Sequence, residues 1–150
     1  ARKGVLYRAL IEPGVEPMPG ARAVLERLGR TRPLAIATNT VRADAAIITG
    51  HLGIDGLLRA VIVREDYARS KPAPDVYLLA VERLGTGPAG VVAIEDSATG
   101  VAAAAAAGLV CVAVRTAVTR GHDFGPAALI VSSLEELDVA ILERLVRGRR

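Results

Sequence analysis

Five short apolar runs alternating with helical patterns constrain this chain more than any other feature: LAIAT (34–38), AVIV (60–63), VVAIE (91–95), LVCVAV (109–114) and ALIV (128–131). Their interiors do not alternate apolar with polar residues, so each is expected to be a strand buried on both faces. Strands of that kind, separated by helices, belong to a parallel sheet with helices on both sides, an α/β architecture. The 150 residues suffice for one such domain with a real core.

The intervening segments carry the helical period. ARKGVLYRALIE places Val5, Leu6, Ala9 and Leu10 on one stripe and predicts a short helix, followed by the turn-rich linker PGVEPMPG. PGARAVLERLGR presents Val24, Leu25 and Leu28 and stops near Gly29. A helix is expected near 42–52, and another presents Val76, Tyr77, Ala80 and Leu84, with Pro72 and Pro74 tolerated at its start. SATGVAAAAAAG has Ser97 as a cap, strong alanine propensity and Gly108 as a stop. Leu134, Leu137, Ile141 and Leu145 predict a final helix.

Composition excludes several classes. The net charge is +3, but the arginines are scattered and the only dense cluster, Arg147, Arg149 and Arg150, reads as a frayed, solvated tail. With aromatics at 3%, the interleaved stacking residues of nucleic-acid binders are missing. The single cysteine, Cys111, lies in an apolar run, so no disulfide framework or thiolate cluster is possible and a buried core thiol is expected. No signal peptide or membrane-spanning stretch is evident, and the expectation is a soluble, cytoplasmic chain.

In open α/β sheets chemistry collects beyond the carboxyl ends of the strands. After the first run, TNT offers the Thr38 hydroxyl and loop N–H groups at a helix start, a setting suited to an anion or simply to capping. After the second comes Lys71, one of only two lysines (the other is Lys3) among 19 basic residues. After the third come Glu95 and Asp96, adjacent acids leaving a buried strand. Helix capping explains one of them; a hard cation such as Mg²⁺ explains both. A hydroxyl with amides, a lysine and a carboxylate pair suit phosphoryl transfer.

LAIATNT, SKPAPDVY and VVAIEDSATGVAAAAAAG, in that order and spacing, resemble the second, third and fourth motifs of the haloacid dehalogenase-like hydrolases, in the β-phosphoglucomutase and CbbY-like sugar-phosphatase branch. The resemblance covers almost the whole chain. It implies a Rossmann-like parallel core over 17–150, preceded over 1–16 by the tail of a helical cap and a linker. It further implies that Thr38 and the amide of Asn39 hold the transferring phosphoryl group. Lys71 would neutralise that group and the nucleophile, and Asp96 with Glu95 would bind Mg²⁺. The implied activity is hydrolysis of a small phosphorylated sugar or metabolite through an aspartyl-phosphate intermediate, or a phosphomutase reaction on the same core residues.

One part of the family pattern is absent. Its first strand ends in Asp-x-Asp-Gly-Thr, with nucleophile and general acid/base, whereas no two of the seven aspartates here (Asp44, Asp55, Asp66, Asp75, Asp96, Asp123 and Asp138) are spaced by one residue. In the family that strand lies in the middle of the sheet, between those ending at Thr38 and Glu95, so two unpaired edges are expected. The expectation is a carboxyl-terminal piece of a longer protein, inactive as it stands, whose sheet the missing segment or another chain would complete. Two other classes compete: a non-catalytic phosphate- or metal-binding module, and a receiver-like or nucleotide-binding domain. Against the latter, no glycine-rich phosphate loop follows any strand, and GTGPAG precedes one.

The remaining candidates are mostly structural. His51 and His122 are expected at the surface, Arg42 as a surface charge and Asn39 alternatively as a helix cap. Gly100 would allow close approach of helix and loop. Asp75 would hydrogen-bond the loop and orient Lys71, or be an exposed acid in a first helical turn.

Overall fold

Helices and strands fall where the apolar patterns place them. In the computed structural model, which describes residues 2–148, the order is α1 (Arg2–Ile11), α2 (Ala21–Gly29), β1 (Leu34–Ala37), α3 (Arg42–Leu52), β2 (Leu58–Ile62), α4 (Asp75–Leu84), β3 (Val92–Glu95), α5 (Ala98–Ala106), β4 (Val110–Val114), β5 (Leu129–Val131) and α6 (Val139–Arg147). α3 and α4 stop at Gly53 and Gly85, whose φ of 61° and 71° is the left-handed conformation glycine adopts without a Cβ penalty.

All strand pairs are parallel, but the described strands form two sheets: β1 with β2, and β3 with β4 and β5 in that order. β1 and β3 therefore each pair on one side only among the described residues. Alternate residues of the strands serve two cores. Ala93, Cys111 and Ala113 face a cluster with Val76, Tyr77 and Ala80 of α4 and Val101, Ala103 and Ala104 of α5, and Ala35, Ala37 and Ala60 of the two-stranded sheet pack on the same cluster. Val112 and Val114 face Val24 and Leu28 of α2, with Val92, Ile94 and Leu142 packed against them. The small alanines on the α4/α5 side let alanine-rich α5 approach the sheet closely. β4, flanked by strands on both sides, is buried along its whole length; β1 is only half-buried, as suits a two-stranded ribbon.

Three expectations change. The Val5, Leu6 and Leu10 stripe of α1 faces solvent, because the helix docks on α3 through buried Ile11 and an ion pair from Arg8 to Asp44. The final apolar series is not one helix: Leu134–Glu136 is a short 3-10 turn capped by Ser133 and Glu136, and α6 restarts after Asp138, whose carboxylate accepts the Ile141 N–H at 2.8 Å. Two caps so close together break a pattern that apolar spacing alone would continue. At the carboxyl end, Arg147 pairs with Glu143 at 2.7 Å within α6, while Arg149 and Arg150 lie outside the described residues. No helix among the described residues is long and apolar enough to cross a membrane.

Cys111 is 1% exposed, and burial, helped by the negative charge of Glu95, pushes its thiol pKa up to about 12. A thiol held protonated and out of solvent is unreactive. Native chain at pH 8 is expected to leave an aromatic disulfide reagent unreduced over an hour, and denatured chain to release one equivalent of the coloured thiolate promptly. Rapid labelling of the native chain would show the thiol to be accessible.

Candidate active site

The end of β1 turns sharply. Thr38 N–H still donates to Ile62 O of β2 at 3.0 Å, and the Thr38 hydroxyl then accepts the Thr40 N–H at 3.1 Å and donates to the Thr40 hydroxyl at 3.0 Å. This side-chain turn is the kind threonine builds at strand-to-helix junctions. Asn39 is exposed and does not cap α3; its Oδ1 accepts from Tyr67 OH at 2.8 Å and from the Lys71 N–H at 3.2 Å. Tyr67 OH also reaches Thr38 O at 2.8 Å, tying the loop before Lys71 to the end of β1.

That loop brings Lys71 inward. Asp75, the first residue of α4, accepts from the Arg69 N–H at 3.0 Å and pairs with its guanidinium at 2.7 Å. Arg69 accordingly holds the Asp75 carboxyl below the usual carboxylate range. Asp75 thus fixes the backbone ahead of Lys71 and does not touch the lysine. The Lys71–Pro72 peptide is cis. Lys71 Nζ donates to Ala37 O at 2.9 Å and to Glu95 Oε1, and sits 4.9 Å from the centre of the Tyr77 ring. One side chain therefore spans from the end of β1 to the end of β3. An ammonium has three donors, so one N–H remains for a further acceptor after these two contacts.

Glu95 ends β3 and is buried, with 9% of its side chain exposed. A carboxylate there must be compensated. Its Oε1 takes hydrogen bonds from Lys71 and from Tyr77 OH, and Oε2 lies 3.5 Å from Ser97 Oγ. Burial, reinforced by the Glu95 charge, pushes the Tyr77 hydroxyl far above its ordinary pKa, so it keeps the proton that it donates to Glu95. Ser97 caps α5 by accepting the Gly100 N–H at 3.1 Å, as expected. Gly100 is where the helix meets the Glu95 carboxylate: a Cβ built there would fall within 2.6 Å of Oε1 and nearer still to the rest of the group. Asp96 is exposed, and its carboxylate makes no hydrogen bond or ion pair among the described residues.

The structure thus gathers Thr38, Asn39, Lys71 and Glu95 by direct or one-residue links, and Asp96 follows Glu95 in sequence. It also shows what sequence reasoning missed. Tyr77 had only an apolar helical position to recommend it, and its hydroxyl is the second donor to Glu95. Tyr67 gave no signal. His122 lies in an exposed loop, but its Nδ1 faces the Ala98 N–H at the start of α5 at 3.4 Å; His51 is exposed in the last turn of α3. Arg42 begins α3 and pairs with Asp66, while its N–H is capped by Glu65 at 2.9 and 3.0 Å, a contact between segments 23 residues apart.

The metal expectation meets a divided site. The Asp96 carboxylate makes no hydrogen bond or ion pair among the described residues, whereas the Glu95 carboxylate is engaged by Lys71 and Tyr77, and no three His, Cys, Asp or Glu side chains among the described residues group around one point. The carboxylates present do not by themselves surround a cation, which takes six or more oxygens with waters included.

A family model described as haloacid dehalogenase-like hydrolase matches residues 4–108. The fructose-1-phosphate phosphatase YqaB of Escherichia coli is 38% identical over 108 residues, 72% of this chain and 57% of YqaB. The plasmid-borne protein CbbY of Cupriavidus necator is 41% identical over 125 residues, 81% of this chain and 49% of CbbY. Among solved structures, a CbbY variant from Rhodobacter sphaeroides in complex with xylulose-(1,5)bisphosphate superposes with a TM-score of 0.78 at 31% identity, covering 83% of this chain and 58% of that one. The chain spans about half the length of the curated relatives it matches.

Proposed function

The chain belongs to the haloacid dehalogenase-like hydrolase family, and on that premise we propose that it forms the carboxyl-terminal core of a Mg²⁺-dependent phosphatase acting on a small phosphorylated sugar. The observation that carries this reading is the position of Lys71 Nζ, held between Ala37 O and Glu95 in the gap between two parallel sheets that each have a free edge. A cation fixed by a backbone carbonyl and a buried carboxylate, with one N–H to spare, is suited to a phosphoryl oxygen and to a carboxylate nucleophile beside it. Thr38 and the Asn39 amide would hold the phosphoryl group at the end of β1. YqaB and CbbY supply the substrate class, a phosphorylated sugar.

The reading requires a further strand, from an upstream segment or another chain, seated between β1 and β3 and carrying an Asp-x-Asp pair. The free edges of β1 and β3 support it, as does the absence of such a pair from the 150 residues. Residues 1–16 would then be the tail of a cap and its linker, and 17–150 the core. Asp96, with Glu95 beside it, would hold Mg²⁺ together with oxygens of that strand; the ion would supply charge neutralisation at the phosphoryl oxygens. Lys71 orients and neutralises, Tyr77 holds Glu95 in place, and Asp75 holds the loop.

The test is to assay residues 1–150 alone and again within the longer protein that includes the upstream segment, using p-nitrophenyl phosphate and sugar phosphates with and without Mg²⁺. Turnover is expected only in the longer protein and only with Mg²⁺. Metal-dependent hydrolysis by residues 1–150 alone, or an upstream reading frame with no Asp-x-Asp, would overturn the proposal.

A further inference from the structure

A second feature lies on the far side of β2. Thr38 N–H bonds Ile62 O, so Ile62 turns its carbonyl toward β1, and the alternation of a parallel ladder turns the N–H and C=O of Val61 outward; the register shifts opposite Leu34 and Ala35, at Arg59. Along this open edge runs a groove of about 380 Å³ whose walls are β2, Leu79 and Arg83 of α4, Arg42 at the start of α3, and Asp66. That volume suits a small molecule better than a peptide.

Its charge is unbalanced. Three arginines and one aspartate line it. Asp66 accepts the Val63 N–H at 3.0 Å and pairs with Arg42, and these, with the nearby Arg83 charge, hold its carboxyl below the usual range. Arg59 and Arg83 make no hydrogen bond or ion pair among the described residues. Two guanidiniums that make no hydrogen bond or ion pair among the described residues line a concave surface that also presents the outward Val61 backbone, the donor set that recognises a planar or tetrahedral oxyanion. None of these residues belongs to the candidate active site, which lies beyond β1; strands are spaced ~4.8 Å apart, so the two places are separated by about two strand widths.

We propose that this groove is a separate anion-binding site, formed by Arg59 and Arg83 with the edge of β2, that takes a phosphate group, free or in a monoester. Isotope-labelled chain is titrated with inorganic phosphate at constant ionic strength while side-chain N–H signals of Arg59 and Arg83 and the Val61 amide are followed by NMR. These signals are expected to move together with a Kd of about 1 mM. Replacing Arg59→Ala and Arg83→Ala together should weaken binding about tenfold or more, with the rest of the spectrum unchanged as proof of folding; either substitution alone should weaken it less. A parallel titration with glucose 6-phosphate separates the sources: tighter binding than inorganic phosphate identifies an ester, and equal binding identifies the phosphate group alone. Equal shifts with chloride, movement confined to the Asn39 amide, or unchanged affinity in the folded double variant would overturn the site.

Discussion

Replacing Lys71 by alanine is expected to lower phosphomonoester turnover by the longer, strand-completed protein at least about 100-fold, and to destabilise residues 1–150 by about 3 kcal/mol. The two effects have different origins and separate readouts. The first is loss of the cation proposed to neutralise the phosphoryl oxygens. The second is what remains behind: the Lys71 and Glu95 side chains are 11% and 9% exposed, so removing the ammonium strands a buried carboxylate left with the Tyr77 hydroxyl and the long 3.5 Å contact from Ser97 Oγ. A second substitution, Glu95→Gln, keeps the shape without the charge and is expected to recover most of the stability in denaturant titrations and none of the activity. Lys71→Arg should also fail, because a planar fork cannot occupy the compact position between Ala37 O and Glu95 Oε1. Full activity and an unchanged denaturation midpoint in Lys71→Ala would remove both the electrostatic and the catalytic account of this residue.

Gly100→Ala sets two opposing effects against each other. In an exposed helix interior, alanine would gain about 1 kcal/mol over glycine. Here the added Cβ would stand inside the Glu95 carboxylate, within 2.6 Å of Oε1 and closer to Cδ and Oε2. Glu95 is held by Lys71 and Tyr77, so it cannot swing away without losing both donors. Either those bonds break or α5 lifts from the sheet, where Val101, Ala103 and Ala104 are fully buried. Overpacking of this kind costs about 1–3 kcal/mol and loss of the charged hydrogen bonds adds to it, so a net destabilisation of about 3 kcal/mol is expected in urea titration. An alanine variant as stable as the parent would mean that Glu95 leaves the pocket freely.

Much of this was legible in the chain. The apolar runs located all five strands within two residues, VVAIE becoming Val92–Glu95 and LVCVAV becoming Val110–Val114, but burial at every position holds for β4 alone, since edge strands such as β2 and β5 leave Arg59 and Ile130 exposed. Proline and glycine marked most helix ends. Thr38 and Glu95 were legible as chemistry because each is polar where an apolar run ends, and Lys71 because it is one of only two lysines and lies in the loop after the second run. Their mutual contact was not, since Lys71 and Glu95 are 24 residues apart and only the packing of α4 against both sheets brings them together. Tyr77 was hidden by its own amphipathic character: the ring fits an apolar stripe and the hydroxyl has a separate partner. The break before α6 was missed because periodicity runs through Leu134 and Leu137, while the caps at Ser133 and Asp138 act on the backbone. The exposed face of α1 was missed because apolar spacing states which residues share a face and not what covers them.

The division of the strands also bears on how the chain folds. Each sheet is a contiguous stretch, 34–62 for one and 92–131 for the other, and β1–β2 and β3–β4 are each joined by a single crossover helix. Loop closure is therefore short for every ladder. The 63–91 connection, which includes α4, then docks the two halves through one alanine-lined core. Lys71 lies in that connector, so its contacts with Ala37 and Glu95 tie the ends of the two sheets to each other.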